Sequence, residues 1–87
     1  MAVTEEIQSA VKSGKAIIGF KESIKFIKND APRLVVMAKN IPEEMRKELE
    51  HNAKIGGIKL EIFNGSSKDL GIIVGKPFPV STISVKG

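Results

Sequence analysis

Three short segments carry residues with usable surface chemistry: Gly19-Phe20-Lys21-Glu22-Ser23, Lys39-Asn40-Ile41-Pro42 and Lys76-Pro77-Phe78-Pro79-Val80-Ser81. The first two read as strand-to-helix loops. Each presents a helix N-terminus, whose free N–H groups bind a phosphate. In the first, Gly19 lets a backbone come close, Lys21 adds a charge and Ser23 adds a donor. The same residues also compose an ordinary turn with a solvated lysine. In the third segment Phe78 stands between prolines, which fix φ and give no backbone donor, so the loop is stiff and does not fold inward. Its ring has two fates. It caps the end of the core, or it presents a flat face to a base, a contact worth about 1–3 kcal/mol.

Other motifs fail on their spacing. Gly71-Ile72-Ile73-Val74-Gly75-Lys76-Pro77 is one residue short of a phosphate loop, and proline stands where Ser or Thr would hold magnesium. No G-x-G-x-x-G occurs. Asn64-Gly65-Ser66 matches a glycosylation sequon but reads as a turn and a helix cap. His51 lies among Glu48, Glu50 and Lys54 with no orienting partner, so it reads as solvated rather than as a general base. Glu43, Glu44, Glu48 and Glu50 form a wet helix face, with Glu43–Lys47 and Glu50–Lys54 as i,i+4 pairs.

The elements that must position these segments alternate between two apolar periods. Residues 4–13 read as a helix capped by Thr4, with Ile7, Ala10 and Val11 on one face and Gly14 as its end. Ala16-Ile17-Ile18-Gly19 reads as a strand buried on both faces. A second helix starts near Lys21–Ser23, turns Ile24 and Ile27 inward and stops at Asn29, Asp30 and Pro32. Leu34 to Ala38 is a second buried strand, and Pro42 sits in the first turn of a third helix with Met45, Leu49 and Ala53 as its buried stripe. That helix ends at Gly56-Gly57. Ile58 to Phe63 reads as a third strand. Ser66 or Ser67 caps a fourth helix with Leu70, Ile73 and Val74 inward and Gly75 at its end, and Ser81 to Val85 is the last strand.

The order is α-β-α-β-α-β-α-β, which predicts an α/β fold: a three-layer α/β/α sandwich around a four-stranded sheet. Right-handed crossovers make the first two strands parallel, which brings their exit loops to one sheet edge. The direction of the last strand is open from the pattern alone. If it runs antiparallel, the Phe78 loop reaches the same edge. Lys, Asn and an aromatic would then share one surface, a composition suited to splayed RNA bases and phosphates.

Composition narrows the function classes. Eighty-seven residues allow one domain, residues 1–87, with a thin core. The apolar share of 41% and charged share of 28% fit a globular domain and not a disordered one. No cysteine is present, which excludes a disulfide scaffold, a thiolate zinc site and a cysteine nucleophile. The single histidine leaves no His-rich metal set and speaks against a Ser-His-Asp triad. No apolar run spans a membrane, and MAVTEEIQS is not a signal peptide, so the default expectation is a cytosolic protein. Fourteen Lys+Arg against ten Asp+Glu give a net charge of +4, which favours a polyanionic partner.

Three stretches carry a family resemblance. Ser13-Gly14-Lys15-Ala16-Ile17-Ile18-Gly19-Phe20-Lys21-Glu22-Ser23-Ile24 resembles the S/T-G-K-x-x-x-G-x-x-x-S-I/V signature of the archaeal and eukaryotic large-subunit ribosomal protein L-thirty-e family. Arg33-Leu34-Val35-Val36-Met37-Ala38-Lys39-Asn40 resembles its K/R-L-I-I-x-A-x-N strand, and Asp69-Leu70-Gly71-Ile72-Ile73-Val74-Gly75-Lys76-Pro77-Phe78 its E-L-G-x-x-x-G-K/R-x-F/H run. The family is similar to other kink-turn RNA binders, which share the sandwich and dock three loops on an internal RNA loop with sheared G·A pairs. The resemblance implies that Gly19, Lys21 and Ser23, with Phe20 and Glu22 between them, lie at the first RNA-facing loop. It implies that Asn40 contacts a base and that Phe78 stacks on an unpaired purine with Lys76 and Val80 flanking. It also implies an antiparallel last strand and a mixed sheet. Phe20-Lys21 stands where the small-RNA-guided modification relatives have Asn-Glu, which favours the ribosomal branch.

The expected function is therefore a structural, non-enzymatic component of the large ribosomal subunit, bound to a kink-turn of ribosomal RNA. The expected partners are ribosomal RNA and other large-subunit components, with no cofactor, metal, membrane or small-molecule substrate, and the free chain is expected to be a monomer in the cytoplasm. The alternatives are a kink-turn binder outside the ribosome, a small enzyme or small-molecule binder using the same strand ends, and a protein-interaction module. The enzyme reading lacks a triad, a metal set and a phosphate loop, in a chain too short to enclose a large pocket. The interaction module lacks an exposed apolar patch in the pattern.

Overall fold

An unbroken apolar run such as Leu34-Val35-Val36-Met37-Ala38 is stable as a strand only where both of its faces are covered. In the computed structural model, which describes residues 3–30 and 32–86, this run is strand β2, and all five of its residues are buried. The complete order is α1 (Val3–Lys12), β1 (Ala16–Ile18), α2 (Phe20–Asn29), β2 (Leu34–Ala38), α3 (Glu43–Gly56), β3 (Lys59–Phe63), α4 (Ser67–Ile73) and β4 (Thr82–Val85). The strands form one mixed sheet in the order β1-β4-β2-β3. β4 runs antiparallel to both of its neighbours, β1 and β2, while β2 and β3 are parallel. The expected mixed α/β sandwich is the observed one.

The pleat of the sheet divides the core. Leu34, Val36, Ala38, Ile83 and Val85 pack with Ile7 and Ala10 of α1 and with Leu70 of α4. Val35 and Met37 point the other way and pack with Ile24 and Ile27 of α2 and Leu49 of α3. Helices α1 and α4 thus cover one face, and α2 and α3 the other. Alternate residues of one strand feeding two separate clusters is the direct consequence of a two-residue side-chain period.

Several local expectations are corrected. β1 is only half-buried, because it is an edge strand paired on one side to β4. Thr4 lies inside the first turn of α1 and is not its cap. Pro42 is the residue before α3 and not a residue of its first turn. Helix α2 begins at Phe20, earlier than Lys21–Ser23, with Gly19 as its N-cap. Helix α4 is held by a capping box: Ser66 Oγ accepts from the Asp69 N–H, and the Asp69 carboxylate accepts from the Ser66 N–H. On α3, Glu43 pairs with Lys47 at 3.7 Å, whereas a Glu50–Lys54 pair is not formed among the described residues.

Candidate nucleic-acid interface

The strand directions gather the three candidate segments. β1 and β2 both run antiparallel to β4, so the C-terminal ends of β1 and β2 and the start of β4 lie at one edge. Gly19 follows the end of β1, Lys39 and Asn40 follow the end of β2, and Val80 and Ser81 lead into β4. Backbone hydrogen bonds lock the rim together. The Gly19 N–H donates to the Thr82 carbonyl at 2.8 Å, the Ala38 N–H to Ser81 at 2.8 Å, and the Val80 N–H to Ser67 at 3.0 Å.

Gly19 has φ +116° and ψ 151°, a conformation open essentially to glycine alone. The chain can thereby leave β1 and enter α2 with Gly19 as the single residue between them. The segment from Gly19 to Ser23 is consequently a helical turn and not a loop. Lys21 and Glu22 are exposed on it. Phe20 packs against the α2–α3 core cluster, and Ser23 is completely buried. The reason is helical spacing: Phe20, Ser23, Ile24 and Ile27 form an i, i+3, i+4, i+7 stripe that faces the sheet. Ser23 therefore offers no surface donor. Its hydroxyl has no hydrogen-bond partner among the described residues, nor does that of Ser84 on β4. Ser23→Ala is expected to leave RNA affinity unchanged and to keep or raise stability, by up to about 1 kcal/mol. Such a gain would raise Tm by roughly 4–8 °C. A drop in affinity with an unchanged melting curve would return Ser23 to the interface.

Asn40 is exposed, and its Oδ1 accepts the N–H of Ser67, the first residue of α4, at 2.8 Å. Only an oxygen can accept that bond, so the amide is oriented and its NH2 is left to donate outward. The Lys39 N–H donates to Gly65 at 2.9 Å, which ties the same loop to the turn before α4. Asn40 is thus a braced side chain and not a free one.

Phe78 is 53% exposed, so its ring does not cap the core. Val80 fills that position instead: it is 2% exposed, packs with Leu70, Val74 and Ile83, and supports the loop from beneath while lining the floor of the hollow beside Phe78. Phe78 shares a hollow of about 370 Å³ with Ile18, Gly19, Lys76 and Ser81, which brings the first and third segments together. Lys76 is exposed beside it. Gly71 of α4 lets the loop approach. A Cβ there would collide with the carbonyl oxygen of Phe78 and lie 3.4 Å from the Pro79 Cα.

Of the nine residues expected at the interface, Gly19, Lys21, Glu22, Asn40, Lys76 and Phe78 remain on or at the surface, and Phe20, Ser23 and Val80 turn inward. Sequence reasoning missed Lys68 and Ile72, which line a groove beside Phe78. The signal was available, because Leu70, Ile73 and Val74 facing inward leave Ile72 on the outer side of α4. Among the described residues no group of three or more His, Cys, Asp or Glu could hold a metal ion.

The whole chain, residues 1–87, matches the Ribosomal protein L7Ae/L30e/S12e/Gadd45 family. The large ribosomal subunit protein eL30 of Methanocaldococcus jannaschii is 40% identical over 85 residues, 98% of this chain and 77% of that protein. The eL30 of Aeropyrum pernix is 35% identical over 85 residues, 98% of this chain and 85% of that one. Among solved structures, the Giardia lamblia 15.5kD RNA binding protein superposes with a TM-score of 0.87 at 20% identity, over 98% of this chain and 71% of that one. At that identity the superposition speaks for the sandwich alone. With the sandwich shared, and with the full length matched at the level of both family and relatives, the chain belongs to the Ribosomal protein L7Ae/L30e/S12e/Gadd45 family.

Proposed function

We propose that the chain is a non-enzymatic RNA-binding component of the large ribosomal subunit, and that it grips a kink-turn-like internal loop with the rim that carries Gly19, Asn40 and Phe78. The observation that supports this most is the exposed Phe78 ring, which shares a sheet edge with a braced Asn40 amide and the first turn of α2. The relatives at 35–40% identity are large ribosomal subunit proteins, and the Giardia protein of the same fold is an RNA-binding protein.

The chemistry suits a bent internal loop better than a duplex. A-form RNA buries its base faces and keeps its major groove too narrow to read, whereas an internal loop splays bases out. An unpaired purine stacks on Phe78. A base edge with an acceptor meets the Asn40 NH2. The phosphates that converge at the bend meet Lys21, Lys39 and Lys76, and their counterions are released. In this reading the partners are ribosomal RNA and neighbouring large-subunit components, the free chain is a monomer, its place is the cytoplasmic ribosome, and no cofactor takes part.

The test is a titration of the chain against a kink-turn RNA and a straight duplex of equal length. Strong preference for the bent RNA is expected, and equal affinities would overturn the reading. Lys21→Ala is expected to lower the slope of log affinity against log salt by about one unit. An unchanged slope would remove Lys21 from the phosphate contacts.

A further inference from the structure

Phe78 borders a second hollow, on the side of α4. Lys68, Ile72, Lys76, Pro77, Phe78 and Pro79 line this groove of about 270 Å³. Ile72 is 66% exposed, an unusual place for a large aliphatic side chain on a helix whose Leu70 and Val74 are buried. Lys68 precedes it by four residues and so lies on the same stripe of α4. The charged residues lining the groove, Lys68 and Lys76, are both cationic. The neighbouring Asp69 carboxylate accepts hydrogen bonds from Ser66 in the α4 cap. The groove falls below the roughly 300–1,000 Å³ of pockets that enclose drug-sized ligands. It is an open shelf lined by apolar side chains and two lysines.

We propose that this shelf seats a second unpaired nucleotide of the same RNA, its base against Ile72 and its phosphates between Lys68 and Lys76. The inference rests on the RNA-binding reading above and extends that interface from the sheet edge onto α4. A nucleotide matches the shelf in both respects, with one apolar face and an anionic backbone. The groove is also continuous with the Phe78 loop, so an RNA strand leaving the ring passes over it.

The experiment titrates the full chain and its Ile72→Ala, Lys68→Ala and Phe78→Ala variants with a kink-turn RNA and with versions made abasic at each unpaired nucleotide in turn. Melting curves confirm that each variant folds. Ile72→Ala is expected to weaken binding about five- to tenfold, the loss that follows from uncovering an apolar contact of this size. That loss is expected to vanish on one abasic RNA, at a nucleotide other than the one that silences Phe78→Ala. Lys68→Ala is expected to lower the salt slope by about one unit. If Ile72→Ala binds every RNA like the parent while Phe78→Ala does not, the shelf is overturned and the RNA-binding reading stands. If that same variant then fails to join a ribosomal particle, the occupant is a protein. A loss equal on every RNA also overturns the shelf. If neither variant changes affinity, both readings fall.

Discussion

Phe78→Ala is expected to weaken binding to a kink-turn RNA by about 1–3 kcal/mol, roughly 5- to 150-fold in Kd, while leaving Tm nearly unchanged. The separation of the two effects follows from where the ring sits. Half of it faces solvent, and the core beneath the loop is closed by Val80. Truncation therefore costs the fold less than removing a fully buried ring would. On the proposed reading, binding depends on the ring in two ways. It supplies a flat apolar face, and Pro77 and Pro79 hold that face in place before RNA arrives, which spares much of the ordering entropy. Phe78→Leu is the informative partner variant. It keeps apolar volume and loses the flat face, so its affinity is expected between those of the parent and the alanine variant. Filter-binding titrations and thermal melts on the three proteins check both halves. Affinity retained by the alanine variant, or a collapse of its fold, would count against a stacking role.

The parts of this molecule that were legible in the sequence are those decided by nearby residues. The five apolar residues Leu34–Ala38 have to be a central strand, because both of their faces need cover. The alternation of periods along the chain yields the layers. The errors lie where distant pairing decides. Ala16–Ile18 reads like the same kind of strand, yet its place at the edge depends on Thr82–Val85 of β4, far later in the chain, inserting between it and β2. The direction of β4, on which the whole rim depends, could be assigned from resemblance and not from periodicity. At the site itself the inward turn of Ser23 was missed because α2 was expected to start near Lys21–Ser23 and starts at Phe20. Once Phe20 is the first helical residue, the stripe places Ser23 between core residues. The role of Val80 was hidden for another reason. After a proline-flanked loop the two-residue parity of the strand no longer says which side chain points in. Asn40 is the converse case. The resemblance implies a base contact for it, but the bond from Ser67 that orients its amide joins residues 27 positions apart and could be seen only in the fold.

Gly71→Ala sets two local rules against each other, and packing is expected to win. Within a helix, Gly to Ala gains about 0.8–1 kcal/mol from propensity. Here the added methyl meets the Phe78 carbonyl oxygen, a backbone atom of a loop with little freedom to bend away, because Pro77 and Pro79 fix φ at two of its positions and the Lys76 and Val80 N–H groups anchor both of its ends to α4 at 2.9 and 3.0 Å. Overpacking of this kind costs about 1–3 kcal/mol, so the net expectation is a small to moderate loss of stability, read as a lower Tm. The larger effect is on RNA. Moving the carbonyl moves the ring attached to the same residue, and affinity is expected to fall about as far as in Phe78→Ala. The double variant separates this from a general weakening. With the ring already removed, Gly71→Ala has nothing left to misplace, so its further cost in affinity is expected to be close to nil, a strongly non-additive pair. If Gly71→Ala instead melts higher and binds like the parent, the loop is not held by its contact with α4, and the stiffness of the Phe78 finger has to come from its prolines alone.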